Sequence, residues 1–159
     1  MSNRKQSGRA RGASDERLGR DVTASAITEE DSMPKREIIQ PAGTKPNPVL
    51  SPVAKFGNIV FTAGMVGTDP ATGKMAGDDI QSQGRQTMEN LKAALEAAGT
   101  SLDNALKVTG FVSKLEDRTP FNEIYKEYFT GAPPVRTCIE GYLGEGVLVE
   151  VDVVACIPD

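Results

Sequence analysis

The sequence of 159 residues contains no histidine, and that absence excludes more chemistry than any one motif suggests. Without imidazole the chain can build neither a Ser-His nor a Cys-His nucleophile pair, and no histidine-ligated metal site. An arginine, a carboxylate, backbone amides and bound water remain as working parts, and neither a metal nor an organic cofactor is called for. Cysteine is scarce too: Cys138 and Cys156 sit in strand-like runs without metal-type spacing, and two thiols make no disulfide framework. Free thiols fit a reducing compartment, so a cytoplasmic location is expected. No apolar run approaches the ~18 residues of a membrane span, and no apolar region of a secretory signal follows the first basic residues. A net charge of −4 and a pI near 5.0 come without the basic stripe of a dedicated nucleic-acid binder. The expected partner is therefore a small molecule, not a nucleic acid or a membrane.

The length suits one domain, able to bury about two-thirds of its unfolded surface. Residues 1–34 read as a disordered extension. They are rich in Ser, Gly and charged residues, with few large apolar side chains and no sustained periodicity. Arg4, Lys5, Arg9, Arg11, Arg17 and Arg20 are offset by Asp15, Glu16, Asp21, Glu29, Glu30 and Asp31. Those acidic residues also argue against an organellar transit peptide. The folded domain is expected over residues 35–159, and Met33 is a candidate initiator.

Glu37–Gln40 reads as a short edge strand, followed by a proline-rich crossing from Pro41 to Pro52. Asn58–Gly64 alternates as a strand, and Asp69-Pro70-Ala71-Thr72-Gly73 has the chemistry of a hairpin turn. Ile80, Met88, Leu91, Leu95 and Ala98 fall at helical spacing, with Asp78 or Asp79 as N-cap and Gly99 as the stop. This stripe reads as core. Leu106–Leu115 alternates again as a strand, which would complete a βαβ unit. Thr119-Pro120 opens a second helix, with Thr as cap and Pro first inside, and Gly131 closes it. The expected order is β, β, α, β, α, β, β: an α+β domain with a mixed sheet against two helices.

The last segment carries the charges of interest. Pro133–Glu140 is extended, Gly141–Gly146 is turn-rich, and Val147–Ile157 is an almost wholly apolar strand. Alternation gives Val149, Val151, Val153, Ala155 and Ile157 one face, and Leu148, Glu150, Asp152, Val154 and Cys156 the other. A carboxylate in so apolar a strand must be paired, hydrogen-bonded or protonated. Glu150 is thus a candidate for chemistry. It is equally a candidate for a structural ion pair with Arg136, whose strand precedes its own in sequence.

Pro134-Val135-Arg136-Thr137-Cys138-Ile139-Glu140 with Gly146–Ala155 resembles the C-terminal signature of the RidA/YjgF reactive-intermediate deaminase family. Phe56–Gly64, Asp69–Gly73, Glu89–Ala93 and Phe121–Phe129 resemble further motifs of that family, in its order, so the likeness covers about Lys35 to Ile157. The resemblance implies a chorismate-mutase-like fold and a homotrimer whose sheets form a central barrel, with sites in clefts between subunits. It implies hydrolysis of 2-enamino or 2-imino acids, such as 2-aminoacrylate or 2-aminocrotonate, to 2-keto acids and ammonia, a metabolite damage-control activity. By the same resemblance Arg136 binds the substrate carboxylate, and Glu150 orients or activates the attacking water. Gly64 brings its backbone amide to the carboxylate, the backbone of Cys138 faces the substrate nitrogen, and Asn122 lies near the site. Asn122 can equally be read as a helix-start hydrogen-bonding residue. Leu50-Ser51 stands where the family often has an aromatic before serine. Ala63-Gly64-Met65 stands where the archetype has Ser-Gly-Gln, which implies a greasier pocket. The alternatives are a non-enzymatic binder of 2-keto acids or related small carboxylates, and a pathway-specific imine or amide hydrolase.

Overall fold

Strict alternation over Val149–Cys156 makes this stretch the middle of a sheet. Val149, Val151, Val153 and Ala155 are buried, while the intervening Glu150, Asp152, Val154 and Cys156 are half-exposed. The computed structural model describes residues 33–158, and the elements are β1 (Arg36–Ile39), β2 (Val53–Phe56), β3 (Ile59–Thr62), β4 (Met65–Val66), α1 (Ile80–Ala97), β5 (Ala105–Val112), α2 (Arg118–Tyr128), β6 (Val135–Glu140) and β7 (Val149–Cys156). The expected disorder of residues 1–34 concerns, up to Ser32, residues outside those described. Pro34 packs beside the Gly57 turn.

The sheet runs β1-β2-β3-β7-β5-β6, with β4 also paired to β7. Both β3 and β5 are antiparallel to β7, so the β3–α1–β5 unit expected from sequence has β7 inserted between its strands. The β5–α2–β6 unit is directly paired and parallel. Two strands escaped the sequence reading. β2 is only four residues and turns into β3 through Gly57-Asn58, with Gly57 at φ 60°, and β4 is only two residues. Neither length sustains a readable alternation.

α1 starts and stops where its sequence says. Asp79 caps it, accepting a hydrogen bond from Ser82 N at 2.8 Å, and Gly99 at φ 83° follows the last turn. The stripe Ile80, Met88, Leu91, Leu95 and Ala98 is buried in one core with the sheet valines, Phe121 and Ile124. α2 begins at Arg118, earlier than Thr119-Pro120 suggested, after a 3₁₀ turn over Leu115–Asp117. Pro120 is therefore third in the helix, tolerated because first-turn N–H groups need no intrahelical acceptor. Gly84 of α1 lets α2 approach closely: a Cβ there would meet Ile124 Cδ1 at 2.8 Å and Phe121 Cδ2 at 3.2 Å.

One face of the sheet is covered by this core. The other is left uncovered by the described residues and carries Ile38, Phe56, Phe61 and Ile139, each about half exposed. No helix among the described residues is long and apolar enough to cross a membrane.

Candidate active site

The residues singled out from sequence fall into two groups on opposite sides of the sheet. Arg136 and Cys138 share with Val108, Gly110 and Val112 the face that packs on the helices. The Arg136 guanidinium stacks over Tyr125 at 4.2 Å and lies 5.1 Å from the Phe121 centroid. Its Nη1 donates to Asn122 Oδ1 at 2.8 Å. Asn122 is the fifth residue of α2, so its bond goes to Arg136 and not to the helix start. The Nε and Nη2 donors of Arg136 are buried and have no partner among the described residues. Unmatched buried donors are rare in native proteins and costly, and a guanidinium held with two free donors is set up for an anion.

Gly110 keeps this corner open: a Cβ there would be 3.6 Å from Cys138 Sγ and 3.8 Å from Arg136 Nη2. Cys138 lies on the edge strand β6, whose outer backbone groups have no neighbouring strand among the described residues. A cleft of about 550 Å³ adjoins Arg136, lined by Asn122, Tyr125, Phe129, Pro133 and Pro134 among others. Tyr125 was not foreseen as a site residue from sequence, where it fell within the second helix. Its ring supports the guanidinium, its hydroxyl is buried without a partner among the described residues, and burial pushes that phenol up to about 12 against the pull of Arg136.

The second group is built around Glu150. This residue faces away from the helices, opposite Phe111 on β5 and Val66 on β4. Its carboxylate lies against Gly64, so closely that a Cβ at position 64 would overlap it. Gly64 sits in the break between β3 and β4, just past the point where Ala63 N donates to Pro52 O at 2.8 Å, one step beyond the Val53–Thr62 pair of β2 and β3. Asp152 and Thr109 share the Glu150 face.

The structural ion pair between Arg136 and Glu150 is overturned. β5 lies between β6 and β7, which places the two strands roughly 10 Å apart, and alternation points the two side chains to opposite faces. The sequence-adjacent strands are not neighbours because β6 reaches the sheet by a parallel crossover onto the outer side of β5. The polar-to-apolar departures also divide. Met65 pairs with Val151 on the helix side and lines a separate cavity of about 290 Å³ with Pro52, Asn90 and Ala94. It does not share the face of Glu150. Leu50 is half exposed on the crossing segment.

A family model described as endoribonuclease L-PSP matches residues 22–157. A RutC family protein of Pyrococcus horikoshii is 40% identical over 122 residues, spanning 76% of this chain and 97% of that protein. The 2-iminobutanoate/2-iminopropanoate deaminase of Salmonella typhimurium is 38% identical over 104 residues, 63% of this chain and 80% of its own length. Among solved structures, Escherichia coli TdcF with bound serine superposes with a TM-score of 0.69 at 32% identity, covering 76% of this chain and 98% of that one.

Proposed function

This chain belongs to the endoribonuclease L-PSP family, the RidA/YjgF family, and from that premise we propose that it is a hydrolytic deaminase converting reactive 2-enamino or 2-imino acids to 2-keto acids and ammonia. The observation that carries the reading is Arg136, whose guanidinium is fixed by Asn122 and two aromatic rings with two buried donors unmatched. A planar guanidinium takes a carboxylate through two parallel hydrogen bonds, which fixes the adjacent C=N carbon as well as the charge.

The chemistry asks little more of the protein than position. A water oxygen adds to the imine carbon, and its proton is taken up as the nitrogen becomes an amine. The C–N bond then breaks, the remaining hydroxyl proton leaves with nitrogen as ammonia, and the C=O bond forms. Glu150 orients the water and shuttles its protons. Gly64 offers a backbone amide unobstructed by a side chain, and the backbone of Cys138 faces the nitrogen.

Because Arg136 and Glu150 occupy opposite faces, one protomer does not converge them on a ligand. We assign the site to a junction between copies, Arg136, Asn122 and Cys138 from one and Glu150 and Gly64 from the next, in a closed homotrimer. The apolar face that the described residues leave uncovered, with Ile38, Phe56, Phe61 and Ile139, supports association through the sheet. The free thiols and the metabolite chemistry fit a cytoplasmic setting. The relative TdcF has been seen with bound serine, which favours, as a second reading, a binder of small carboxylates without turnover. Coupling a threonine/serine dehydratase to this protein and following keto-acid release separates them. Acceleration lost in Arg136→Ala supports hydrolysis, and carboxylate binding without acceleration supports the binder. Ribonuclease activity, named in the family's description, gains nothing from a chain without histidine and with a net charge of −4.

A further inference from the structure

Two amide side chains interrupt the apolar face of α1, and each holds a stretch of backbone beside Glu150. Gln83 is 1% exposed. Its Nε2 donates to Gly77 O and Gly146 O, both at 2.8 Å, and its Oε1 accepts from Leu148 N at 2.9 Å. Leu148 lies two residues before Glu150. Two turns along the same helix face, Asn90 Nδ2 donates to Val66 O at 2.9 Å and Thr68 O at 2.8 Å, and its Oδ1 accepts from Gln86 Nε2 at 2.9 Å. Val66 is the ladder partner of Glu150 itself.

Packing a helix on a sheet needs only apolar contact, and a buried amide is tolerated only when satisfied. β4 has just two residues to hold it to β7, so its carbonyls lack the neighbour a longer strand arrangement would supply. Asn90 takes that place. We propose that Gln83 and Asn90 are positioning residues for Glu150: Gln83 fixes the chain entering β7, and Asn90 fixes β4, keeping Gly64 against the carboxylate. Neither touches the reacting atoms. This inference rests on the deaminase reading and on the division of the site into an Arg136 half and a Glu150 half, and it places both amides in the Glu150 half of their own protomer.

Asn90→Ala is the informative variant because Asn90 is only half-buried, whereas Gln83→Met removes a fully buried side chain that holds three backbone groups. The expected result is a kcat lower by about 10- to 100-fold with KM little changed, since misplacement by ~1 Å costs about that much and the carboxylate site is untouched. Mixed oligomers sharpen the test. Asn90→Ala combined with Arg136→Ala regains activity, because one junction then has both halves intact, whereas Asn90→Ala combined with Glu150→Gln does not. The reverse pattern, or a rise in KM equal to the fall in kcat, overturns the proposal. The mixture of Arg136→Ala with Glu150→Gln is the control for the divided site itself. Should that control stay inactive, or wild type show no turnover, amide hydrogen exchange decides. Faster exchange in Asn90→Ala confined to residues 64–68 and 148–151 supports positioning, and unchanged exchange there overturns it.

Discussion

Arg136 and Glu150 point to opposite faces of one sheet, with β5 between their strands. The two charges that dominate the C-terminal third of the sequence therefore stabilise nothing together inside a protomer. Each is instead built into its own support: Arg136 among Asn122, Phe121 and Tyr125, and Glu150 against Gly64. The predictions below follow from that separation.

Arg136→Ala should raise KM at least a hundredfold, because each charge-assisted bond to a carboxylate contributes on the order of 1.5–3 kcal/mol. Arg136→Lys should recover little, since a point charge cannot form the paired bonds or stack on Tyr125 in the same way. Glu150→Gln should do the converse, losing kcat while equilibrium dialysis with a 2-keto acid shows binding retained. Steady-state kinetics on both variants checks the split.

Gly64→Ala places a methyl where the Glu150 carboxylate now lies. The side chain can swing aside, so thermal unfolding should shift by only a few degrees, but the displaced carboxylate should lower kcat by about tenfold or more. A variant with unchanged kcat would mean that the contact with Gly64 does not set the working position of Glu150.

Alkaline stability follows from two tyrosines. Burial holds Tyr125 up at about 12, and burial with the Glu89 hydrogen bond does the same for Tyr128, against an ordinary 10.0. A group whose folded-state value is raised contributes stability below its unfolded value and loses it as pH rises through the folded one. Urea unfolding should therefore show stability intact to pH 10 and falling toward pH 12, more shallowly in Tyr125→Phe.

Met65→Gln restores the polar residue found in the archetype, yet Met65 faces α1 and not Glu150. Relative kcat/KM for small and large imino acids should stay the same, while stability drops by about 1 kcal/mol for placing an amide in an apolar cavity. A changed substrate preference would bring position 65 into the site.

Most of the framework was readable because periodicity and capping agree in it. The α1 stripe with Asp79 and Gly99, and the alternation through Val149–Cys156, each specify one local answer that packing then keeps. What escaped reading depends on topology. Nothing local says that β6 docks beyond β5, so Arg136 and Glu150 looked like neighbours. The roles of Tyr125, Gln83 and Asn90 were equally invisible, because the partners that tie them to the site, Arg136, Leu148 and Val66, lie 11, 65 and 24 residues away in the chain. Within that helix pattern an amide on the apolar face was the available signal: a polar residue at a core position either has a specific acceptor or should not be there.

The most direct test of the divided site mixes two inactive proteins. Arg136→Ala and Glu150→Gln are each purified, co-refolded in equal amounts and assayed for keto-acid release from the dehydratase product. With halves drawn from adjacent copies, random mixing leaves about a quarter of the junctions with both native residues, so activity should return to about that fraction of wild type. If each site lies within one protomer, no mixture contains an intact one, and activity remaining at the level of the separate variants would contradict the account.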